Sequence, residues 1–237
     1  MLDIQNLTKR YDETIALTDV DFTAAPGEFV AVVGPSGCGK STLLRVLAGL
    51  EPDFDGRVTV NDTPVDDGGS ADVGVVFQDP RLLPWATVRE NVRLAAPDDA
   101  SDAEIDDLLE RVGLEGFETA LPGELSGGMA QRVALARGLA YEPEALLLDE
   151  PFSALDALTK VEQQAFLLEV WQSVEATVVL VTHDVEEAAY LADRVVVLGS
   201  QPGTVVDRID VDVDRPRERT DERLLDVRER ITTALGL

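Results

Sequence analysis

GPSGCGKST, Gly34 to Thr42, directly follows the apolar run Phe29, Val30, Ala31, Val32, Val33. Gly34, Gly39, Lys40 and Ser41 match the phosphate-cradling spacing of Gly, four residues, Gly, Lys, then Ser or Thr. This predicts a strand feeding a loop whose backbone N–H groups converge on phosphate oxygens. A helix over Thr42 to Leu50 then turns its positive dipole end to the same anion. Glycines at 34, 37 and 39 permit close backbone approach and positive φ. Lys40 can reach the β- and γ-phosphates and the Ser41 hydroxyl can ligate Mg²⁺. The pattern predicts an α/β fold with a phosphate-loop core that binds a nucleotide.

The 237 residues suffice for one such core, with or without a small inserted lobe. No run reaches eighteen apolar residues, and the start MLDIQNLTKRYDE lacks the apolar stretch of a signal peptide. A soluble, intracellular protein is expected. Cys38 is the only cysteine, which excludes an intrachain disulfide framework and a thiolate metal cluster. Its place inside the loop fits its small size better than a redox role.

The formal net charge is −26, and lysine occurs only at Lys9, Lys40 and Lys160. Nucleic-acid affinity depends on neutralising phosphates, so nucleic acid is not an expected partner. The acids are spread along a chain that is 45% apolar, which should therefore fold rather than form an acidic disordered tail. They read as a solvated coat suited to high intracellular salt, where screening makes self-repulsion tolerable.

Outward from the loop, Leu2 to Leu7 and Ala16 to Ala25 read as strands of an N-terminal antiparallel sheet. Tyr11 lies between them and either stacks on a purine or packs on a surface groove. GRVTV, Gly56 to Val60, reads as a strand and NDTPVDDGGSAD as loops. DVGVVFQ, Asp72 to Gln78, is a β-branched strand whose terminal amide sits where open α/β sheets bind ligands, or simply ends the strand. From Pro84 to about Glu144 the strand signal gives way to helical spacing in WATVRENVRLA, DAEIDDLLERVG and SGGMAQRVALARGLA, with glycine after Val112 as a stop. In the last of these, Ser126 caps a helix beside Gly127 and Gly128, a second helix-dipole anion site; on its own this is also a common turn. ALLLDE, Ala145 to Glu150, is a buried strand closed by two carboxylates. After a phosphate loop, the first of them, Asp149, typically serves Mg²⁺. Glu150 is then placed to activate a water. PFSALDALT turns into a helix over 157 to 174, with Trp171 expected in the core. TVVLVTHD ends a further strand on His183, the only histidine in the chain and a site candidate by its position at a strand's carboxyl end. RVVVLG and GTVVDRIDV are two more strands, and Arg215 to Leu237 reads as a charged surface helix.

In this order, Tyr11, GPSGCGKST, Gln78, LSGGMAQ, LLLDEP, SALD and TVVLVTHD resemble the ATPase subunit of ABC transporters along essentially the whole chain. The resemblance implies the fold of that family, with a nucleotide-binding core over 1–83 and 145–214. A helical lobe would span 84–144, followed by a tail over 215–237. It implies that Tyr11 stacks on the adenine of ATP. Gly34, Pro35, Ser36, Gly37, Cys38, Gly39, Lys40, Ser41 and Thr42 would hold the phosphates, with Ser41, Gln78 and Asp149 around Mg²⁺. Glu150 would orient and deprotonate the attacking water, and His183 would contact the γ-phosphate. It further implies a head-to-tail homodimer in which Ser126, Gly127 and Gly128 of one copy close over ATP held by the other. Ala130 stands where many relatives carry Arg or Gln, which bears only on peripheral contacts.

QDPRLLPWATVRENV, LLLDEPFSALDALTK and QPGTVVDRIDVDVDRPRERTD look like the ATPase of the nitrate, sulfonate and taurine class of importers. That resemblance implies a partner permease whose cytoplasmic helix docks on residues 79 to 92, at the cytoplasmic face of the membrane. It also implies an external solute-binding protein reached only through the permease. Trp85 and Leu83 either line that groove or are buried in the lobe. One alternative is an ABC ATPase that works without a permease. Another, a nucleotide-dependent switch, would need a compromised base, and Glu150 is intact.

Overall fold

The computed structural model describes residues 1–65, 73–174 and 176–237. The chain divides into two compact units, Met1–Ser70 with Ala176–Leu237, and Ala71–Glu175. The first unit opens with β1 (Leu2–Tyr11), β2 (Thr14–Ala24), β3 (Phe29–Val33), α1 (Lys40–Leu47), β4 (Asp55–Val60) and β5 (Thr63–Pro64). The second holds β6 (Val73–Val76), α2 (Val88–Arg93), α3 (Asp102–Arg111), α4 (Gly127–Leu139), β7 (Ala145–Asp149) and α5 (Ala157–Val174). The chain returns to the first unit with β8 (Thr177–Thr182), α6 (Val185–Leu191), β9 (Arg194–Leu198), β10 (Val205–Asp210) and α7 (Glu222–Ala234).

In the first unit β3 runs parallel between β8 and β9. Covered on both edges and both faces, all five of its residues are buried, which is why FVAVV is an unbroken apolar run rather than an alternating one. Strand β10 closes the edge antiparallel to β9. Helix α1 starts two residues earlier than expected and ends at Leu47, burying Leu43, Leu44, Val46 and Leu47. The expected N-terminal antiparallel sheet is present, in the order β2-β1-β4-β5. The short β5 pairs with β4 inside a stretch expected to be loop.

Strand β1 is longer than its alternation predicts. Asn6 has φ of 51°, and the register with β2 shifts between Ile4 and Leu7. A bulge inserts one residue, so the inward positions change from Leu2 and Ile4 to Leu7 and Lys9. Lys9 and Tyr11, two apart, thereby share one face of the strand.

In the second unit β6 and β7 pair in parallel, Val76 opposite Leu148. Strand β6 ends at Val76, so Gln78 follows the strand instead of closing it. Asp72 and the last part of the expected loop lie outside the described residues. A Cβ on Gly74 would fall 2.1 Å from the Gly138 carbonyl oxygen, so α4 packs directly on β6. Helices α2 and α3 begin with reciprocal caps, Thr87 with Glu90 and Ser101 with Glu104, each bonding two N–H groups that the helix leaves unmet. The bonds from Thr87 and Ser101 hold both glutamates below the usual carboxylate range. Helix α3 stops as expected, with Gly113 at φ of 66°. Helix α5 spans the expected residues, but Trp171 is only half-buried.

The tail is helical only from Glu222. Leu224, Val227 and Ile231 are buried along one face of α7, each such side chain contributing about 1.5–3 kcal/mol of apolar transfer, so it is a packed amphipathic helix. Arg215 to Arg219 precede it as a non-helical segment. Among the described residues, no helix is long and apolar enough to cross a membrane.

Candidate nucleotide site

Parallel pairing of Val33 with Thr182 makes Gly34 and His183 the next residues on neighbouring strands. Both stand at carboxyl ends, where open parallel sheets receive ligands. The loop between β3 and α1 then turns sharply, with Gly37 at φ of 81° and Gly39 at φ of 101°. At Gly39 a Cβ would meet Leu17 Cδ2 at 2.7 Å and the Ala16 carbonyl oxygen at 2.8 Å, so only glycine fits both the angle and the space. Pro35, Ser36, Gly37 and Ser41 are exposed, whereas Gly34, Cys38 and Lys40 are buried. The Lys40 ammonium donates to the carbonyls of Gly34 at 2.8 Å and Pro35 at 3.2 Å. It therefore curls back over the loop. Burial pushes the Cys38 thiol up, against the opposing pull of Lys40. That environment keeps it a thiol and leaves it a packing residue.

Tyr11 is 38% exposed and is anchored rather than isolated. Burial and its hydrogen bond to Glu51 raise the phenol above its ordinary value, while a further bond links it to Thr42, at the end of the phosphate loop. The Lys9 ammonium lies 4.9 Å from the Tyr11 ring centroid, 3.2 Å from Glu51 Oε2 and 2.8 Å from the Asp53 carbonyl oxygen. Lys9 and Glu51 escaped the sequence reading. The available signal was the two-residue spacing of Lys9 and Tyr11, hidden by the bulge at Asn6.

In the second unit, Asp149 follows Leu148 directly and Gln78 lies two residues beyond its partner Val76. The two acids Asp149 and Glu150 are half-buried and Gln78 is exposed. Glu150 has φ of 45°, a left-handed conformation that costs a non-glycine residue about 1–3 kcal/mol. Its carbonyl accepts from Ser153 N at 3.2 Å and Ser153 Oγ at 2.9 Å, so the SALD turn holds the backbone there. Asp156 closes that turn by capping α5, accepting from Leu158 N and Thr159 N at 3.1 Å and Thr159 Oγ1 at 2.6 Å. The bonds from Thr159 hold its carboxyl below the usual range.

Ser126 caps α4 as predicted, accepting from Met129 N at 3.3 Å. Ser126 and Gly127 are exposed, while a Cβ at Gly128 would sit 3.3 Å from Gln163 Nε2 and 3.5 Å from Thr159 Cγ2. The α4 start thus packs on α5 while keeping its outer surface open. An electrostatic pattern sets α1 and α4 apart. Helices α2, α3, α6 and α7 carry an acid in the first turn, and α5 is capped by Asp156. Neither α1 nor α4 has a first-turn acid, and their caps, Gly39 and Ser126, are neutral. In a chain of net charge −26, these two helix starts carry no acid of their own at the cap or in the first turn, which suits the binding of an anion.

The Ser41 hydroxyl, Gln78 amide oxygen and Asp149 carboxylate are hard oxygen donors of the kind Mg²⁺ prefers. Among the described residues no group of three or more His, Cys, Asp or Glu side chains could hold a metal ion unaided. Mg²⁺ ordinarily completes its shell with waters and substrate phosphates, so each of these donors is, by its chemistry, of a kind that suits a metal arriving with a nucleotide.

The ABC transporter family profile matches residues 17–153. The chain is 51% identical over 235 residues to the aliphatic sulfonates import ATP-binding protein SsuB 2 of Burkholderia cenocepacia (strain HI2424), covering 99% of this chain and 87% of that protein. It is 46% identical over 235 residues to the aliphatic sulfonates import ATP-binding protein SsuB 1 of Pseudomonas savastanoi pv. phaseolicola, covering 99% and 96%. Among solved structures it resembles a dimeric post-hydrolysis state of the ATP-binding cassette MJ0796 bound to ADP and Pi. There the TM-score is 0.76 at 31% identity, with 90% of this chain and 100% of that chain covered.

Proposed function

The chain belongs to the ABC transporter family, and from that membership we propose that it is the ATP-hydrolysing subunit of a membrane importer for a small anion such as nitrate, sulfonate or taurine. The observation that carries this reading is the pair of acid-free helix starts, α1 and α4, in an otherwise acid-coated chain. One suits the phosphates of a bound ATP; the other suits the γ-phosphate of ATP held by a second copy.

Tyr11 stacks on adenine, and residues Gly34 to Thr42 grip the phosphates. Ser41, Gln78 and Asp149 would hold Mg²⁺, which would supply neutralising charge to the phosphate oxygens. Glu150 takes a proton from the attacking water as its oxygen bonds to the γ-phosphorus and the bond to ADP breaks. His183 holds the γ-phosphate in line for that attack. Catalysis is therefore positioning and electrostatics, without a covalent enzyme intermediate. Ser126, Gly127 and Gly128 of the partner copy close over the same γ-phosphate. Hydrolysis removes the group that both copies grip, so closed and open dimers differ in nucleotide affinity and the cycle can do work.

Residues 79 to 92 are the docking groove for the permease. Two features support it: Trp85 is 75% exposed, and the segment before α2 is set by the buried Asn91. That amide donates to the carbonyls of Leu83, Ala86 and Thr87 at 3.2, 3.0 and 2.9 Å. The subunit then works at the cytoplasmic face of the membrane, and solute choice rests with the permease and an external binding protein. The acidic surface suits a salt-rich interior. Uptake of labelled taurine, an alkyl sulfonate and nitrate, in cells lacking this chain, tests the reading. Loss of one of the three supports it, and unchanged uptake of all three removes it.

A further inference from the structure

The tail motif Arg215-Pro216-Arg217-Glu218-Arg219 has no place in the nucleotide chemistry, yet it encloses α6. Arg217 is buried, with 6% exposure. Its Nη1 donates to the carbonyls of Ala189 at 3.2 Å, Tyr190 at 3.0 Å and Ala192 at 2.7 Å. Its Nε and Nη2 reach the carbonyls of Val213 at 2.8 Å and Val211 at 3.3 Å. Arg215 supplies the missing member of the helix end, donating to the Leu191 carbonyl at 2.5 Å, and pairs with Asp193. The carbonyls of Ala189, Tyr190, Leu191 and Ala192, which the helix itself leaves unmet, thus all go to two guanidinium groups. Burial and the neighbouring Arg215 lower Arg217 to about 10, so it stays charged at neutral pH and opposes the negative end of the helix dipole.

Arg219 extends the grip to the other end of α6. Its guanidinium carbon stacks 3.9 Å from the Tyr190 ring centroid, and its Nη1 lies 3.6 Å from Glu186 Oε1. Arg228 reaches the same carboxylate at 3.5 Å. Asp184 caps the start of α6, accepting from Glu186 N at 2.8 Å and Glu187 N at 3.1 Å. His183 is the residue immediately before that cap. A helix of seven residues is too short to hold itself together, so the groups around it set where it sits and where the chain leaves β8.

We propose that Arg215 to Arg219 form a positioning strap for His183, with Arg217 as its central residue. The strap fixes both ends of α6 and so fixes the backbone from which the His183 imidazole projects. The role in hydrolysis rests on the reading of His183 as a γ-phosphate contact; the mechanical coupling does not.

His183 is the only histidine, so the imidazole signals of the full-length protein, labelled with ¹⁵N-histidine, report on that one ring without assignment. In Arg217→Met the signals should shift or broaden, and kcat for ATP should fall between about tenfold and 10²-fold, as expected for displacement transmitted from a distance. KM should stay within about twofold, because the phosphate loop is untouched. Arg217→Lys should recover part of both effects. Arg219→Gln removes the Tyr190 and Glu186 contacts of a side chain that is 24% exposed; it should fold and shift the imidazole signals in the same direction by less. If Arg217→Met does not fold, the decision falls to Arg219→Gln. Signals superimposable on wild type in every folded variant, or a kcat loss that only follows the unfolded fraction seen by near-UV circular dichroism, would overturn the strap. A wild-type protein that hydrolyses no ATP would remove the transport reading and leave the imidazole result to decide the strap alone.

Discussion

Val33 and Thr182 pair across neighbouring parallel strands, which makes the first residue of the phosphate loop and His183 successors of paired residues. A side chain there can contact a phosphate without any long excursion of the chain. His183→Ala should keep ATP binding and lose about 10²–10³-fold in kcat, the usual cost of removing one donor to a developing negative charge. Fluorescent-nucleotide binding beside phosphate release measures the two separately. Equal losses in both would make His183 a binding residue only.

Glu150 combines a left-handed backbone, φ of 45°, with a carbonyl pinned by Ser153. Glu150→Gln preserves shape and removes the proton acceptor, so hydrolysis should drop about 10²–10⁴-fold while ATP binding and ATP-driven dimerisation persist. Size-exclusion chromatography with light scattering follows the dimer. Near-normal turnover would refute the base assignment.

Lys9 sits over the Tyr11 ring, and the Tyr11 hydroxyl meets Glu51 and Thr42. Removing the platform with Tyr11→Ala should raise KM for ATP by about tenfold, on the scale of one lost base stack, with kcat nearly kept. Lys9→Met should raise KM by a smaller factor in the same direction, because the ring loses one of its anchors. Steady-state kinetics with ATP decides; an effect confined to kcat would place both residues in the chemical step instead.

Glu90 and Glu104 have depressed carboxyl values because they accept cap hydrogen bonds. For a group depressed in the folded state, its contribution is fully present above the unfolded value, 4.5 here, and is lost as pH falls through the folded value. Glu104→Gln should therefore lower Tm at pH 7, and the difference from wild type should shrink as pH falls below 4.5. A melting series across that range checks it, and a gap between wild type and variant that widens on acidification would contradict it.

With a net charge of −26, self-repulsion should destabilise the folded chain at low ionic strength and be screened at high ionic strength. Tm should rise steadily from millimolar to multimolar KCl. A flat or falling series would remove the salt-adapted reading of the surface.

The loop from Gly34 to Thr42, the strand that feeds it and the cap at Ser126 are legible because each depends on local chemistry: an apolar run, a glycine spacing, a hydroxyl before a helix. What escaped depends on contacts distant in sequence. The bulge at Asn6 hid the shared face of Lys9 and Tyr11, since alternation was read as ending at Leu7. Gln78 proved to lie beyond its strand because β6 stops at Val76, a boundary that β-branched composition does not mark. The mixture of arginines and acids in the tail suggests a charged surface helix. In fact Arg217 is among the more deeply buried charged residues, and its five acceptors are backbone carbonyls, which leave no trace in side-chain composition. For Trp85 the sequence leaves groove lining and burial in the lobe both open, and the loop organised on Asn91 holds it exposed.

The proposed transport cycle requires ATP to be hydrolysed between two copies of this chain. Specific ATPase activity of the purified protein, with Mg²⁺ in multimolar KCl, measured across protein concentrations alongside light scattering, tests it most directly. Activity per chain should rise with concentration as dimer forms and be lost in His183→Ala. Undiminished activity per chain at dilutions where scattering shows only monomer would contradict it.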